Sequence, residues 1–283
     1  MEINKVGVIG CGSMGAGIAQ ISAQSGLDVI VREINEDLLS KGLASINKML
    51  SKGVEKEKIA QKDMDEALAR IKGTTAMEDF AECDLVIEAV VEDLDLKKKV
   101  FTELEKICPR HTILGTNTSC LSIIDIATVT SRPEKVLGLH FFYPVALMAL
   151  LEIVRTISTS DETVEAAKAF GERVGKSVVI AQDTPGYIVN RLFIPYMLDA
   201  IRLYEAGVAS REDIDMGVKL GLNYPMGPLT LADFTGVDIV YFVASAMYEQ
   251  TKNPALIPPT LLQKMVAAGW LGRKTGKGFY EYK

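Results

Sequence analysis

The chain has 283 residues, 48% hydrophobic and 24% charged, which suits one large or two ordinary globular domains with ample core. Its formal net charge of −6 argues against a general binder of nucleic acid or of acidic membrane surfaces, since both call for a basic face. Cys11, Cys83, Cys108 and Cys120 form no CxxC pair and have no histidine at zinc-ligand spacing, so no metal site is expected and the expected compartment is a reducing cytoplasm.

The N-terminus enters a strand at once, over residues 6–9, with no signal-peptide pattern. Gly10-Cys11-Gly12-Ser13-Met14-Gly15 follows, then a helix-prone stretch at 16–23, a break at Gly26 and a second strand from Asp28 that ends at Arg32-Glu33. Each part has a physical task. Gly10 permits the tight turn, Gly12 lets the backbone approach a pyrophosphate, and Gly15 lets helix and strand pack closely. The helix start presents N–H groups and partial positive charge to phosphates. Glu33, about twenty residues beyond the first glycine, is placed to accept ribose hydroxyls. A lone GxGxxG is weak, but strand, turn, helix, strand and acid in this order read as a dinucleotide site. Glu33 favours NAD(H); adjacent Arg32 keeps NADP(H) open as the weaker alternative.

A long helix is predicted from 36 to about 52, and a shorter one over 57–69. Residues 84–88 read as a buried strand and 94–107 as a helix with Leu96, Val100, Leu104 and Ile107 on one stripe. Strands at 112–116 and 136–140, a helix at 162–174 and a strand at 177–181 complete this region. Such alternation implies an α/β fold with a Rossmann-type, doubly wound, mostly parallel sheet. After Pro185-Gly186 only helical stretches appear, at 188–206, 211–220, 229–250 and 259–268. The expected organisation is a nucleotide-binding domain of residues 1–184 and an all-helical domain of residues 185–283. No apolar run approaches the roughly 18 residues needed to span a bilayer, so no membrane partner is expected.

Two histidines simplify the search for a base near neutral pH. His111 reads as a surface residue. His140 ends a buried strand, where open α/β sheets face their ligands, although a histidine on an apolar element is as readily structural. Glu152 interrupts Leu150-Leu151 and Ile153-Val154, where an unpaired buried carboxylate is costly. His140 is a natural partner; an edge-strand acid facing water is the alternative. Asn117-Thr118-Ser119 follows another strand end, with groups suited to a substrate oxygen or a carboxamide, or with Ser119 or Ser122 as a helix cap. Asn190, near the start of the first C-terminal helix, can bond backbone or ligand. Lys48, Lys52 and Lys56 recur every four residues and share a face if the helix continues past Gly53. On charge alone, a solvated face balanced by Glu55 and Glu57 is the simpler reading.

Taken together, these segments resemble the L-3-hydroxyacyl-CoA dehydrogenase family, closest to its bacterial 3-hydroxybutyryl-CoA members, and the match runs essentially end to end. It rests on the Gly10 turn, residues 86–92, Asn117-Thr118-Ser119, His140-Phe141-Phe142, residues 185–191, Pro225-Met226-Gly227-Pro228 and the tail from Gly269 to Tyr280. The resemblance implies NAD-linked interconversion of the C3 hydroxyl and ketone of a CoA thioester. His140 would be the base and Glu152 its orienting partner, with Ser119 and Asn190 holding substrate oxygens. It also implies cofactor contacts at Ser13, Met14, Ala89, Glu92, Lys97, Asn117, Ser119, Tyr143 and Lys274, besides the glycines and Glu33. CoA contacts fall on Lys52 and Lys56, and a homodimer through the helical domain is implied.

One departure stands out. The family usually reads His-Phe-Phe-Asn-Pro, whereas this chain has Tyr143, and Ala146 and Ala149 replace a usual Pro and Lys. A phenol cannot reproduce the two-way hydrogen bonding of an amide. The rival readings are a sugar-acid (gulonate-type) dehydrogenase of the same superfamily and a non-catalytic NAD-binding protein. The intact set Ser119, His140, Glu152 and Asn190 argues against the second.

Overall fold

The computed structural model describes residues 2–282, and the chain divides into two compact units, one ending at Asp183 and the other starting at Thr184. In the first unit β1 (Lys5–Ile9) leads into α1 (Ser13–Gln24) and β2 (Asp28–Arg32), followed by α2 (Glu36–Glu55), α3 (Gln61–Ala69) and β3 (Ile71–Thr74). Then come β4 (Leu85–Glu88), α4 (Leu94–Ile107), β5 (Ile113–Thr116), α5 (Ile123–Ala127) and β6 (Val136–Phe141). The unit closes with β7 (Leu150–Arg155), α6 (Asp161–Arg173) and β8 (Ser177–Gln182).

The strands form one sheet in the order β3-β2-β1-β4-β5-β6-β7-β8, the doubly wound α/β arrangement expected. Neighbours are parallel except β6 and β7. Every position of β4, β5 and β6 is buried, as a sheet covered on both faces requires. The order reverses between β1 and β4, so the crevice for a ligand lies where the C-terminal ends of those strands diverge. The core runs along this sheet, from Val6, Val8 and Ile18 through Leu85 and Ile87 to Leu139, Leu151 and Phe170.

Several boundaries differ from expectation. Helix α2 continues past Gly53 to Glu55, and Glu57, in the left-handed region at φ 55°, ends the turn before α3 begins at Gln61. The short, partly exposed β3 had no recognisable sequence pattern.

The second unit contains α7 (Val189–Glu205), α8 (Arg211–Gly221), α9 (Pro228–Thr235), α10 (Val237–Thr251) and α11 (Thr260–Ala267). The single helix expected over 229–250 is two. Gly236, at φ 109°, breaks it with a 93° bend. Two buried carboxylates organise this unit. Asp215 accepts the Leu229 and Thr230 N–H groups at the start of α9, and Asp233 accepts those of Phe279 and Tyr280, pinning the tail. A Cβ on Gly278 would stand 1.9 Å from Asp233, so the tail needs glycine there. Among the described residues no single helix is long and apolar enough to cross a membrane.

Candidate active site

The glycine turn does what its spacing suggests. Gly10 sits at φ 89°, and a Cβ there would meet the Ala89 carbonyl at 2.8 Å, so β1 and β4 pass too closely for a side chain. A Cβ on Gly15 would lie 1.7 Å from the Gly10 oxygen, whereas one on Gly12 would meet nothing within 4 Å. Gly12 is thus the open position, and as N-cap of α1 it offers no side chain to the first-turn N–H groups. Ser13 beside it is exposed and Met14 half-buried. The Glu33 carboxylate accepts the Cys11 N–H at 2.6 Å and the Ile34 N–H at 3.1 Å, which brings the end of β2 against the turn. Arg32 donates from Nε to the Thr75 carbonyl at 3.2 Å. An open cradle, an uncapped helix start and a carboxylate at the second strand fit a dinucleotide without a 2′-phosphate.

Beside this turn lies a buried charged cluster. Glu88 ends β4 fully buried, accepting Lys97 Nζ and the Thr116 hydroxyl, each at 2.7 Å, and the Val90 N–H. Lys97 also lies 3.3 Å from Glu92, whose carboxylate in turn accepts the Ser119 N–H at 2.8 Å and the Thr118 hydroxyl. Asn117 donates its N–H to the Glu88 carbonyl, and its side-chain oxygen accepts the Phe141 N–H at 3.0 Å. The loop after β5 is therefore fixed by groups from β4, the β4–α4 connection and β6.

Lys97, for which the resemblance implies a cofactor contact, is 1% exposed, with its ammonium held by the Glu88 and Glu92 carboxylates. Of the two cap candidates Ser119 and Ser122, Ser122 caps α5, by accepting the Asp125 N–H.

His140 and Glu152 are register partners across the antiparallel β6–β7 pair, which sets both side chains on one sheet face. Glu152 is fully buried, and its Oε2 lies 2.6 Å from His140 Nδ1, which excludes an edge acid facing water. The carboxylate on Nδ1 fixes the ring's orientation, with Nε2 on the opposite side of the ring. The Phe142 ring packs 4.5 Å from the imidazole. Tyr143 follows, joined to Pro144 by a cis peptide, and is 67% exposed. His111 is exposed, 3.9 Å from Asp84.

Four further sequence candidates are on other elements. Asn190 is the second residue of α7, in the helical unit. Lys274, expected at the cofactor, pairs with Asp238 at 2.6 Å in that same unit. Lys52 and Lys56 are exposed near the end of α2, and the carboxylates of Glu55 and Glu57 make no ion pair with them among the described residues. Sequence reading passed over Glu88 and Thr116 as site residues; an acid ending the apolar run Leu85-Val86-Ile87 was the available signal.

The 3-hydroxyacyl-CoA dehydrogenase NAD-binding domain model matches residues 5–184, and that family's C-terminal domain model matches residues 186–282. The chain is 43% identical over 281 residues to the 3-hydroxybutyryl-CoA dehydrogenase of Bradyrhizobium diazoefficiens, covering 99% of this chain and 96% of that protein. It is 44% identical over 282 residues to that of Mycobacterium tuberculosis, covering 99% of each. The crystal structure of (S)-3-hydroxybutyryl-CoA dehydrogenase PaaH1 from Ralstonia eutropha superposes with a TM-score of 0.96 at 42% identity, covering all of both chains. Fold, glycine turn and histidine–carboxylate pair agree with these matches: the chain belongs to the 3-hydroxyacyl-CoA dehydrogenase family and is an NAD-dependent dehydrogenase.

Proposed function

We propose that this chain interconverts (S)-3-hydroxybutyryl-CoA and acetoacetyl-CoA, a step in short-chain acyl (butanoate) metabolism. The observation that carries this reading is the 2.6 Å His140–Glu152 pair, on a chain so similar to enzymes named for that substrate.

Gly10, Gly12 and Gly15 would hold the pyrophosphate against α1, with Ser13 and Met14 beside it, and Glu33 would hold the adenosine ribose. Bound there, NAD+ supplies the acceptor for the hydride that leaves C3. His140 takes the hydroxyl proton at Nε2, and the Glu152 carboxylate stabilises the imidazolium at a distance where charge pairing is strong. In the reverse direction the imidazolium returns that proton to the developing alkoxide. Ser119, its backbone held by Glu92, orients the reacting oxygen, and Asn117 with Ala89 and Tyr143 borders the cofactor side. The resemblance adds Asn190 as a second holder of substrate oxygen and Lys274 as a cofactor contact. Lys52 and Lys56 supply positive charge for CoA phosphates in an otherwise acidic protein.

The helical unit exposes Leu192, Leu220, Phe234 and Phe242, which supports a homodimer through that unit; a dimer mass by light scattering at micromolar concentration tests it. Four buried, unbridged thiols support a reducing, cytoplasmic setting. The direct test follows NADH absorbance with acetoacetyl-CoA, against a panel of longer 3-ketoacyl-CoA thioesters and sugar acids. Preference for acetoacetyl-CoA is expected; turnover only with sugar acids would overturn the reading.

A further inference from the structure

Strands β6 and β7 pair directly, so a two-residue hairpin would suffice to join them. The chain instead runs through residues 142–149, which begin next to His140 and include Tyr143. Such a connector is free to move unless tied down. Its own ties are short: the Leu147 and Met148 N–H groups both donate to the Pro144 carbonyl, at 2.9 and 3.0 Å. Two further ties come from elsewhere in the unit. Val145 is buried against α1, where a Cβ on Gly17 would stand 2.7 Å from the Val145 Cβ. From the other direction Lys176, just before β8, donates its ammonium to the Val145 carbonyl and, at 2.8 Å, to the Met148 carbonyl. The next residue, Ser177, donates its N–H to the Ala149 carbonyl at 2.7 Å.

A lysine is rarely buried without a carboxylate. Lys176 is 8% exposed, and burial alone lowers its pKa from the ordinary lysine value, with no carboxylate contributing. Desolvating an ammonium against two neutral carbonyls is unfavourable by itself. What the arrangement achieves is a fixed connector: removing the ammonium would leave two inward-facing carbonyls without that donor.

We propose that Lys176 is a positioning residue for the dehydrogenase reaction, clamping the β6–β7 connector, which carries Phe142 against His140 and then Tyr143, onto the nucleotide-binding helix α1. Lys176 touches neither member of the His140–Glu152 pair; it acts through the backbone of residues 145–148. The catalytic part of this proposal rests on the 3-hydroxyacyl-CoA dehydrogenase reading above, whereas the clamp stands on geometry alone.

The test compares wild type, Lys176→Met and Lys176→Arg by amide hydrogen exchange and by steady-state kinetics with NADH and acetoacetyl-CoA. In Lys176→Met the Leu147 and Met148 amides should exchange at least about tenfold faster, while amides of β1 and β4 keep their protection. Turnover should fall by about fivefold or more, with the KM for NADH changed more than that for acetoacetyl-CoA. Lys176→Arg, which keeps charge and donors, should recover most of both losses. Unchanged exchange in a folded Lys176→Met protein would overturn the clamp. Faster exchange with unchanged kcat and KM would overturn its part in catalysis. Should Lys176→Met fail to fold, Lys176→Gln, with a shorter neutral donor, provides the same two readouts. If wild type itself does not turn over acetoacetyl-CoA, the functional reading fails, and the exchange comparison still decides the clamp.

Discussion

His140 and Glu152 face each other across the one antiparallel strand pair of the sheet, with Nδ1 and Oε2 2.6 Å apart and the carboxylate fully buried. This pairing puts His140 at the C-terminal end of a strand running parallel to β1 and brings its carboxylate partner in from a strand running the other way. A wholly parallel sheet would bring a different residue of β7 opposite His140.

A dyad of this kind acts as one unit. His140→Asn should lower kcat by about 10²- to 10⁴-fold while changing the Kd for NADH little, because the lost interaction belongs to the transition state. Glu152→Gln should also be severe, and the double variant hardly worse than His140→Asn alone. Stopped-flow turnover paired with NADH fluorescence titration separates these effects. Near wild-type kcat in either single variant would remove the pair from the mechanism.

Cofactor choice should follow Glu33. Its carboxylate accepts the Cys11 and Ile34 N–H groups and stands where a 2′-phosphate would meet like charge, while Arg32 is engaged by the Thr75 carbonyl. The kcat/KM for NADH should exceed that for NADPH, and Glu33→Ala should narrow the gap, chiefly by weakening NADH. A higher kcat/KM for NADPH in wild type would contradict this account.

These features were legible in the sequence to different degrees, and the reasons are physical. Gly10 and Gly15 were readable because steric exclusion acts within a short stretch of chain, and a Cβ at either would collide. Glu152 was readable because a lone acid in an apolar run demands a partner, and the chain has only two histidines. Lys97 was not. The sequence stripe runs through Leu96, Val100, Leu104 and Ile107; α4 buries Val100 and Leu104 as that stripe implies, but with Lys97 and Phe101 in place of Leu96 and Ile107. The stripe is turned because Glu88, at the end of β4, gives the lysine a buried partner, a contact no local periodicity encodes. Lys176 escaped for the same reason: its partners are carbonyls, which leave no mark in a side-chain pattern. The break at Gly236 was visible as a glycine, yet a glycine alone does not distinguish a tolerated helix position from a 93° bend.

The lysines of α2 provide a charge-based test. Lys48, Lys52 and Lys56 are exposed; the first two lie on α2 and Lys56 is the residue that caps its end. Replacing all three by Ala should raise the KM for acetoacetyl-CoA several-fold, on the order of 1 kcal/mol, and weaken its dependence on salt. A pantetheine thioester lacking the nucleotide phosphates should show no such change. Equal effects on both substrates would place the CoA phosphates elsewhere.

Tyr143 stands where the resemblance implies an asparagine, and its environment makes the Tyr143→Asn change informative. Its side chain is largely exposed, and its backbone enters the connector fixed by the Pro144 turn and by Lys176. Tyr143→Asn should therefore alter Tm little, with a stability change within about 0.5 kcal/mol, as expected for a surface side chain. Kinetics should respond more. An asparagine amide donates and accepts at once, whereas a phenol at the same Cβ is bulkier and carries one hydroxyl. The reversion should lower the KM for NADH by several-fold, about 1 kcal/mol of added cofactor binding, and leave the KM for acetoacetyl-CoA less affected. Isothermal titration with NADH distinguishes tighter binding from faster chemistry, since only the former moves Kd. Identical Kd, kcat and KM in the two proteins would mean that the Tyr143 ring points away from the cofactor, and the difference from the family would then have no consequence for this reaction.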